Sequence, residues 1–135
     1  MVLVEGRYRG DLRGEASHGP SGGKLLTDAP ADNMGRGEAF SPTDLVGTAL
    51  GTCIVTTMAI VAKRRSIEFS GVRFRVEKHM VTEPVRRIGR LPVTVSLPAR
   101  LTADERIILE RAAHMCPVSR SLHPEVEATI SFVYE

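Results

Sequence analysis

Two cysteines, the only ones in the chain, are the residues best suited to chemistry. Cys53 lies inside an apolar run that begins Leu45-Val46-Gly47 and ends Thr52-Cys53-Ile54-Val55, and Cys116 is followed at once by Pro117, where a helix is expected to begin. They are too far apart for a local Cys-x-x-Cys pair. If the fold joins them, they form a dithiol that can be oxidised and reduced. If it does not, they are two inert core thiols, since free cysteine is among the most buried residue types. The thiolate is the reactive form, and its pKa falls beside cations and helix N-termini and rises in apolar burial. On local grounds Cys116, at an expected N-cap with Pro117 at N1, is the more acidic. Cys53, about three turns into a long helix, needs a cation brought by tertiary structure, and Arg7, Arg9, Arg13 and Arg36 are the supply.

Other chemistries have weaker support. His114, Cys116 and His123 are close in sequence, but a structural zinc site wants four ligands in paired short spacings, and Cys53, His18 and His79 are remote. No metal and no cofactor are expected. No Gly-x-Ser-x-Gly elbow is present for a Ser-His-Asp hydrolase. The glycines at 19–23 do not form a phosphate loop, because Lys24 is followed by Leu25 rather than Ser or Thr.

The elements that must position the cysteines are legible in outline. Residues 2–9 predict a first strand, 10–23 a turn-rich segment, 24–27 a short strand and 28–40 an ordered loop. Ser41 at N-cap, Pro42 at N1 and Asp44 at N3 open a long helix that runs to residues 63–65, whose cations suit its C-terminal end. Val72, Phe74 and Val76 alternate with charged residues, and Val93, Val95 and Leu97 with Thr94 and Ser96, predicting two strands paired as an antiparallel hairpin. Thr102-Ala103-Asp104-Glu105 reads as a capping box for a helix with Ile107, Ile108, Leu109 and Ala112 facing inward. A short helix follows Pro117, and Ala128, Ile130, Phe132 and Tyr134 mark a last strand. The order predicts an α+β fold, antiparallel sheet packed on helices, as a single domain over 1–135.

Composition narrows the setting. A net charge of +2, no Trp, four Phe and two Tyr give no support for a nucleic-acid partner. Residues 45–62 carry no charge, at the lower edge of transmembrane length. Thr48, Thr52, Thr56, Thr57, Gly47 and Gly51 favour burial in a protein core, so no membrane span is expected. Met1–Arg7 turns polar at once, without the pattern of a signal peptide, and the cytoplasm is the expected compartment. A helix apolar on nearly every face needs cover on all sides. A second copy of the chain is the simplest cover, with Gly47 and Gly51 permitting close approach; the alternative is that these glycines relieve crowding within one core.

Ser41-Pro42-Thr43-Asp44-Leu45 with Ala49-Leu50-Gly51-Thr52-Cys53 resembles the first cysteine motif of the OsmC/Ohr family, the osmotically inducible and organic hydroperoxide resistance proteins. Cys116-Pro117-Val118-Ser119 resembles the second motif. His18-Gly19-Pro20-Ser21-Gly22, Leu25 to Pro30 and Asp32-Asn33-Met34-Gly35 are similar to the OsmC-like branch. The resemblance implies an intertwined homodimer with long central helices and active sites at the subunit interface. It implies a thiol peroxidase in which Cys53 attacks an organic hydroperoxide, Cys116 resolves the sulfenic acid as a disulfide, and a dithiol reductant of lipoyl or thioredoxin type restores both thiols. This reverses the local expectation about which thiol is the more acidic. Where the Ohr branch carries a Glu that holds an activating Arg, this chain has Thr43 and then Asp44, which takes that role. Arg13 is the first choice for the activating Arg and Arg36 the second, with His18 lining the pocket. Two other readings stay open: a binding protein of the same fold for a small apolar or acyl ligand, and a structural or regulatory partner protein with inert thiols.

Overall fold

The computed structural model describes residues 1–135, which divide into two compact units, Met1–Val46 and Gly47–Glu135.

The first unit is built on a three-stranded antiparallel sheet, β1 (Val4–Gly10), β2 (Arg13–His18) and β3 (Lys24–Asp28), in that spatial order. β2 falls inside the stretch expected to be turn. Its sequence, RGEASH, has little strand propensity, but both its edges are taken by backbone pairing, which decides the outcome over local preference. The β1–β2 turn runs through Gly10, Asp11 and Leu12, all with positive φ. After β3 the chain makes a 3-10 turn at Ala31–Asn33 and a left-handed Met34. A Cβ on Gly35 would lie 1.7 Å from the Ala29 carbonyl oxygen, so only glycine fits this turn.

Helix α1 (Pro42–Arg64) starts and ends where its punctuation predicts. The Ser41 hydroxyl accepts from the Asp44 amide at 3.1 Å, and the Asp44 carboxylate accepts from the Ser41 amide at 2.8 Å, a reciprocal cap. At the other end Ser66 takes a left-handed conformation and the Ile67 amide donates to Ala62 O at 2.9 Å, closing the last carbonyls.

The second unit contains a three-stranded sheet of β4 (Arg73–Val76), β7 (Val93–Leu97) and β8 (Ile130–Tyr134), with β7 in the middle. β4 and β7 are antiparallel as expected, but they are not a hairpin: a separate two-stranded ribbon, β5 (His79–Val81) and β6 (Arg87–Arg90), lies between them in sequence. β7 and β8 are parallel, which corrects the expectation of a wholly antiparallel sheet. The reason is connectivity. Helix α2 (Ala103–Ala113) and the one-turn helix α3 (Pro117–Ser121) stand between β7 and β8 and return the chain to the starting end of β7.

Leu50, Ile54 and Met58 of α1, Val93, Val95 and Leu97 of β7, and Leu109 of α2 form the centre of the core. α1 buries one stripe, Gly47, Leu50, Gly51, Ile54, Met58 and Ala62. Gly47 faces Leu91 and Val76, and a Cβ on Gly51 would lie 2.5 Å from the Phe74 ring. The two glycines therefore seat α1 on its own sheet, and the second reading given above for them is the one that holds. Ala49, Thr52, Thr56 and Ile60 remain exposed. By length and composition α1 could cross a membrane, a test that core helices of soluble proteins also pass. Thr102 and Glu105 form the expected capping box of α2, whose buried residues are Leu109, Ala112 and Ala113; Ile107 points outward, a correction to its inward placement. The four-residue step from Leu109 to Ala113 sets the inner face of the helix, and Ile107 falls off it.

Candidate functional site

The second unit brings the two cysteines together. Cys53 sits on α1, partly exposed, and Cys116 is completely buried as the N-cap of α3. The two sulfurs are neighbours, and each shifts the acidity of the other. Thr57, one turn further along α1, presents its hydroxyl to Cys53 at 4.0 Å. The first turn of α3 supplies backbone donors. Pro117 has no N–H, so the free amides begin at Val118, which lowers the pKa of Cys53, and Ser119, which donates to Cys116 at 3.5 Å. Neither sulfur bears a disulfide.

These contacts separate the two acidities. Burial pushes the Cys53 thiol up, but the Val118 amide, the Cys116 thiol and the Thr57 hydroxyl together outweigh it and hold the pKa below the ordinary thiol value. Burial pushes Cys116 up as well. The Ser119 amide works against this, but the neighbouring Cys53 sulfur adds to it, and the net shift is upward. The expectation from the local sequence, with Cys116 the more acidic, is thus corrected. An N-cap position favours a thiolate, but Cys116 is fully buried and neighbours a sulfur that ionises more readily than it does. Cys53 is the more acidic of the pair and Cys116 the less acidic.

The other sequence candidates lie in the first unit. Arg13, on β2, ion-pairs with Asp28 at 3.8 Å and with Glu38. Asp28 is 1 % exposed, accepts from the Glu38 amide at 3.1 Å, and leaves one carboxylate oxygen unpartnered, as is the Arg13 Nε. Asp28 and Glu38 are the Arg13 partners that the sequence did not single out; Asp28 is the cross-strand neighbour of Arg13, a pairing visible only once β2 is known to be a strand. Asp44 is engaged in the α1 cap. Arg36 is exposed in the loop before α1. His18 ends β2, its Nδ1 2.6 Å from the Ser21 hydroxyl. Of the histidines weighed as metal ligands, His114 packs edge-on against Phe132, and His123 Nδ1 accepts from the Glu125 amide at 3.1 Å. Thr57 and Val118, which act on Cys53, are not singled out by the sequence, although Thr57 is one helical turn from Cys53 and therefore on its face.

A family model described as OsmC-like protein matches residues 35–131, a span that takes in both cysteines and all of α1. The chain belongs to the OsmC-like family. Among solved structures, one from Psychrobacter arcticus, provisionally described as an osmotic stress induced and detoxification response protein, is similar over 98% of this chain and 96% of that one, with 36% identity and a TM-score of 0.91. An organic hydroperoxide resistance protein OsmC from Legionella pneumophila covers the same shares at 20% identity and a TM-score of 0.75. The organic hydroperoxide resistance protein OhrB of Bacillus subtilis is similar at 18% identity and a TM-score of 0.70, over 98% of this chain and 97% of that one. At these identities the last two show the fold alone. No curated protein matched the sequence. This OsmC-like chain therefore places a neighbouring pair of thiols, unequal in acidity, on the α1 and α3 elements of its family's fold.

Proposed function

We propose that this protein is a cysteine-based thiol peroxidase that reduces organic hydroperoxides to alcohols. The observation that carries the reading is the juxtaposition of Cys53 and Cys116, with Cys53 the more acidic and the more exposed of the two. The names of the Legionella and Bacillus structures support the substrate class.

In this reading the Cys53 thiolate attacks the distal oxygen of the hydroperoxide. The O–O bond breaks, the alkoxide leaves and takes up a proton as the alcohol, and Cys53 becomes a sulfenic acid. Cys116 is the neighbouring thiol. It loses its proton and attacks the Cys53 sulfur, the S–O bond breaks, water leaves and a disulfide forms. An external dithiol, of lipoyl or thioredoxin type, returns both thiols by exchange. Thr57 and the Val118 amide stabilise Cys53 as thiolate while it waits. The unit of function is a homodimer in the cytoplasm, and the exposed apolar positions of α1 support a second copy as their cover.

An arginine adds further activation. Arg13 is already held by Asp28 and Glu38, and removing it would strand a buried carboxylate. Arg36 carries no such commitment, so it is the better suited of the two to approach a thiolate. Asp44 serves by fixing the start of α1, the helix that carries Cys53. The test is sulfenic acid trapping. Cys116→Ser treated with cumene hydroperoxide and a dimedone-type reagent should gain the adduct at Cys53, and Cys53→Ser should gain none. An adduct at Cys116 in the Cys53→Ser protein, formed as fast as the Cys53 adduct in the Cys116→Ser protein, would sink the assignment.

A further inference from the structure

The C-terminal ends of α1 and α2 flank an open groove of about 390 Å³ within the second unit. Val61, Ile108 and Met115 give it an apolar lining, and Arg64, Arg65 and Arg111 surround it. The side chains of the three arginines make no hydrogen bond or ion pair with any protein group. That sets them apart from most arginines of the chain: Arg73 is paired with Glu135, Arg87 with Glu125 and Arg100 with Glu68. Arg106 is spent on two backbone carbonyls and the Tyr134 ring.

The helix dipoles explain part of the arrangement, since carbonyl ends favour cations. They do not explain an open apolar floor between the cations, where Met115 is left 56% exposed. A groove of this size with an apolar wall and a few convergent charged groups has the features of a small-molecule site. Free guanidinium groups recognise a carboxylate through paired N–H donors, and the apolar lining recognises hydrocarbon.

We propose that this groove binds a single-chain amphipathic carboxylate, with the acyl chain against Val61, Ile108 and Met115 and the headgroup on Arg64, Arg65 and Arg111. The site is distinct from the dithiol. Val61 is two helical turns beyond Cys53 on the same face of α1, about 12 Å along the axis, and Met115 immediately precedes Cys116. The inference does not depend on peroxide chemistry.

Calorimetric titration of the full-length protein with sodium dodecanoate, below its micelle concentration, tests it, with dodecanol and acetate as the chain alone and the headgroup alone. Dodecanoate should bind with one site per chain and raise the melting temperature, and each arginine replaced by Gln should weaken binding about tenfold. Met115→Glu, at an exposed position, should block binding while leaving the arginines and the fold intact. Loss of thiols on addition of tert-butyl hydroperoxide should be the same in all these variants, so that a failure here and a failure of the peroxidase reading are told apart. Absence of dodecanoate binding, binding of acetate as tight as dodecanoate, or undiminished binding in the triple Arg→Gln protein would each overturn the proposal.

Discussion

The thiol of Cys116, fully buried at the cap of α3, neighbours the sulfur of Cys53 on α1 and lowers its pKa. The two sulfurs are unequal in acidity. The partly exposed sulfur is the one that ionises more readily, and the buried one ionises less readily.

The pH dependence of alkylation follows from this. The Cys53 pKa is lowered, so its thiolate fraction, and its rate with iodoacetamide, should rise at lower pH than for a free thiol. Cys116→Ala removes a neighbour that favours the thiolate, so the Cys53 profile should move to higher pH. A profile unchanged by Cys116→Ala, measured site by site by mass spectrometry, would show that the two sulfurs do not communicate.

Thr57→Val keeps the shape of the side chain and removes the hydroxyl that faces Cys53. The Cys53 pKa should rise. Alkylation at neutral pH should slow, and at pH values where both proteins are fully ionised the rates should converge. Slowing that persists at high pH would mean that Thr57 acts on access rather than on acidity.

Arg13 and Asp28 form a pair in which only the arginine reaches solvent. Arg13→Ala should cost about 1–3 kcal/mol, because the buried carboxylate loses its cation. Replacing Asp28 with Asn in the same protein should recover part of that loss. Urea unfolding of the single and double variants measures both. If Arg36 rather than Arg13 assists Cys53, Arg36→Ala should leave stability unchanged and slow peroxide reduction.

Gly51 is required by the seat of α1 on β4. Gly51→Ala should destabilise the protein by about 1–3 kcal/mol through overpacking against Phe74 and Val76. The neighbouring stripe position Gly47 meets its neighbours at 3.6 Å, ordinary contact distance, so Gly47→Ala should cost clearly less. Thermal melts that ranked the two in the opposite order would contradict the packing described.

The local punctuation was legible. Ser41, Pro42 and Asp44 set the start of α1, Thr102 and Glu105 that of α2, and Cys116-Pro117 that of α3, because caps are formed by residues a few positions apart. What depends on distant partners was not. β2 exists because β1 and β3 pair with it, and its own residues argue for a turn. The parallel match of β7 with β8 cannot be read from alternation, which reports which face is buried and not which way the neighbour runs. Gly47 and Gly51 were recognisable as a surface for close approach, but whether a sheet or a second helix approaches is a tertiary fact. The same holds for the site. That Cys53 and Cys116 matter was evident from their number and settings. Their order of acidity was not, since it is set by the burial of Cys116 and by an amide and a hydroxyl brought to Cys53 from α3 and from the next turn of α1.

The central claim is that Cys53 and Cys116 form one redox unit. Intact mass and thiol count after one equivalent of tert-butyl hydroperoxide test it most directly. The account predicts loss of both thiols with a decrease of about two mass units, abolished in Cys53→Ser. Both thiols surviving on the timescale of minutes, at unchanged mass, would contradict it.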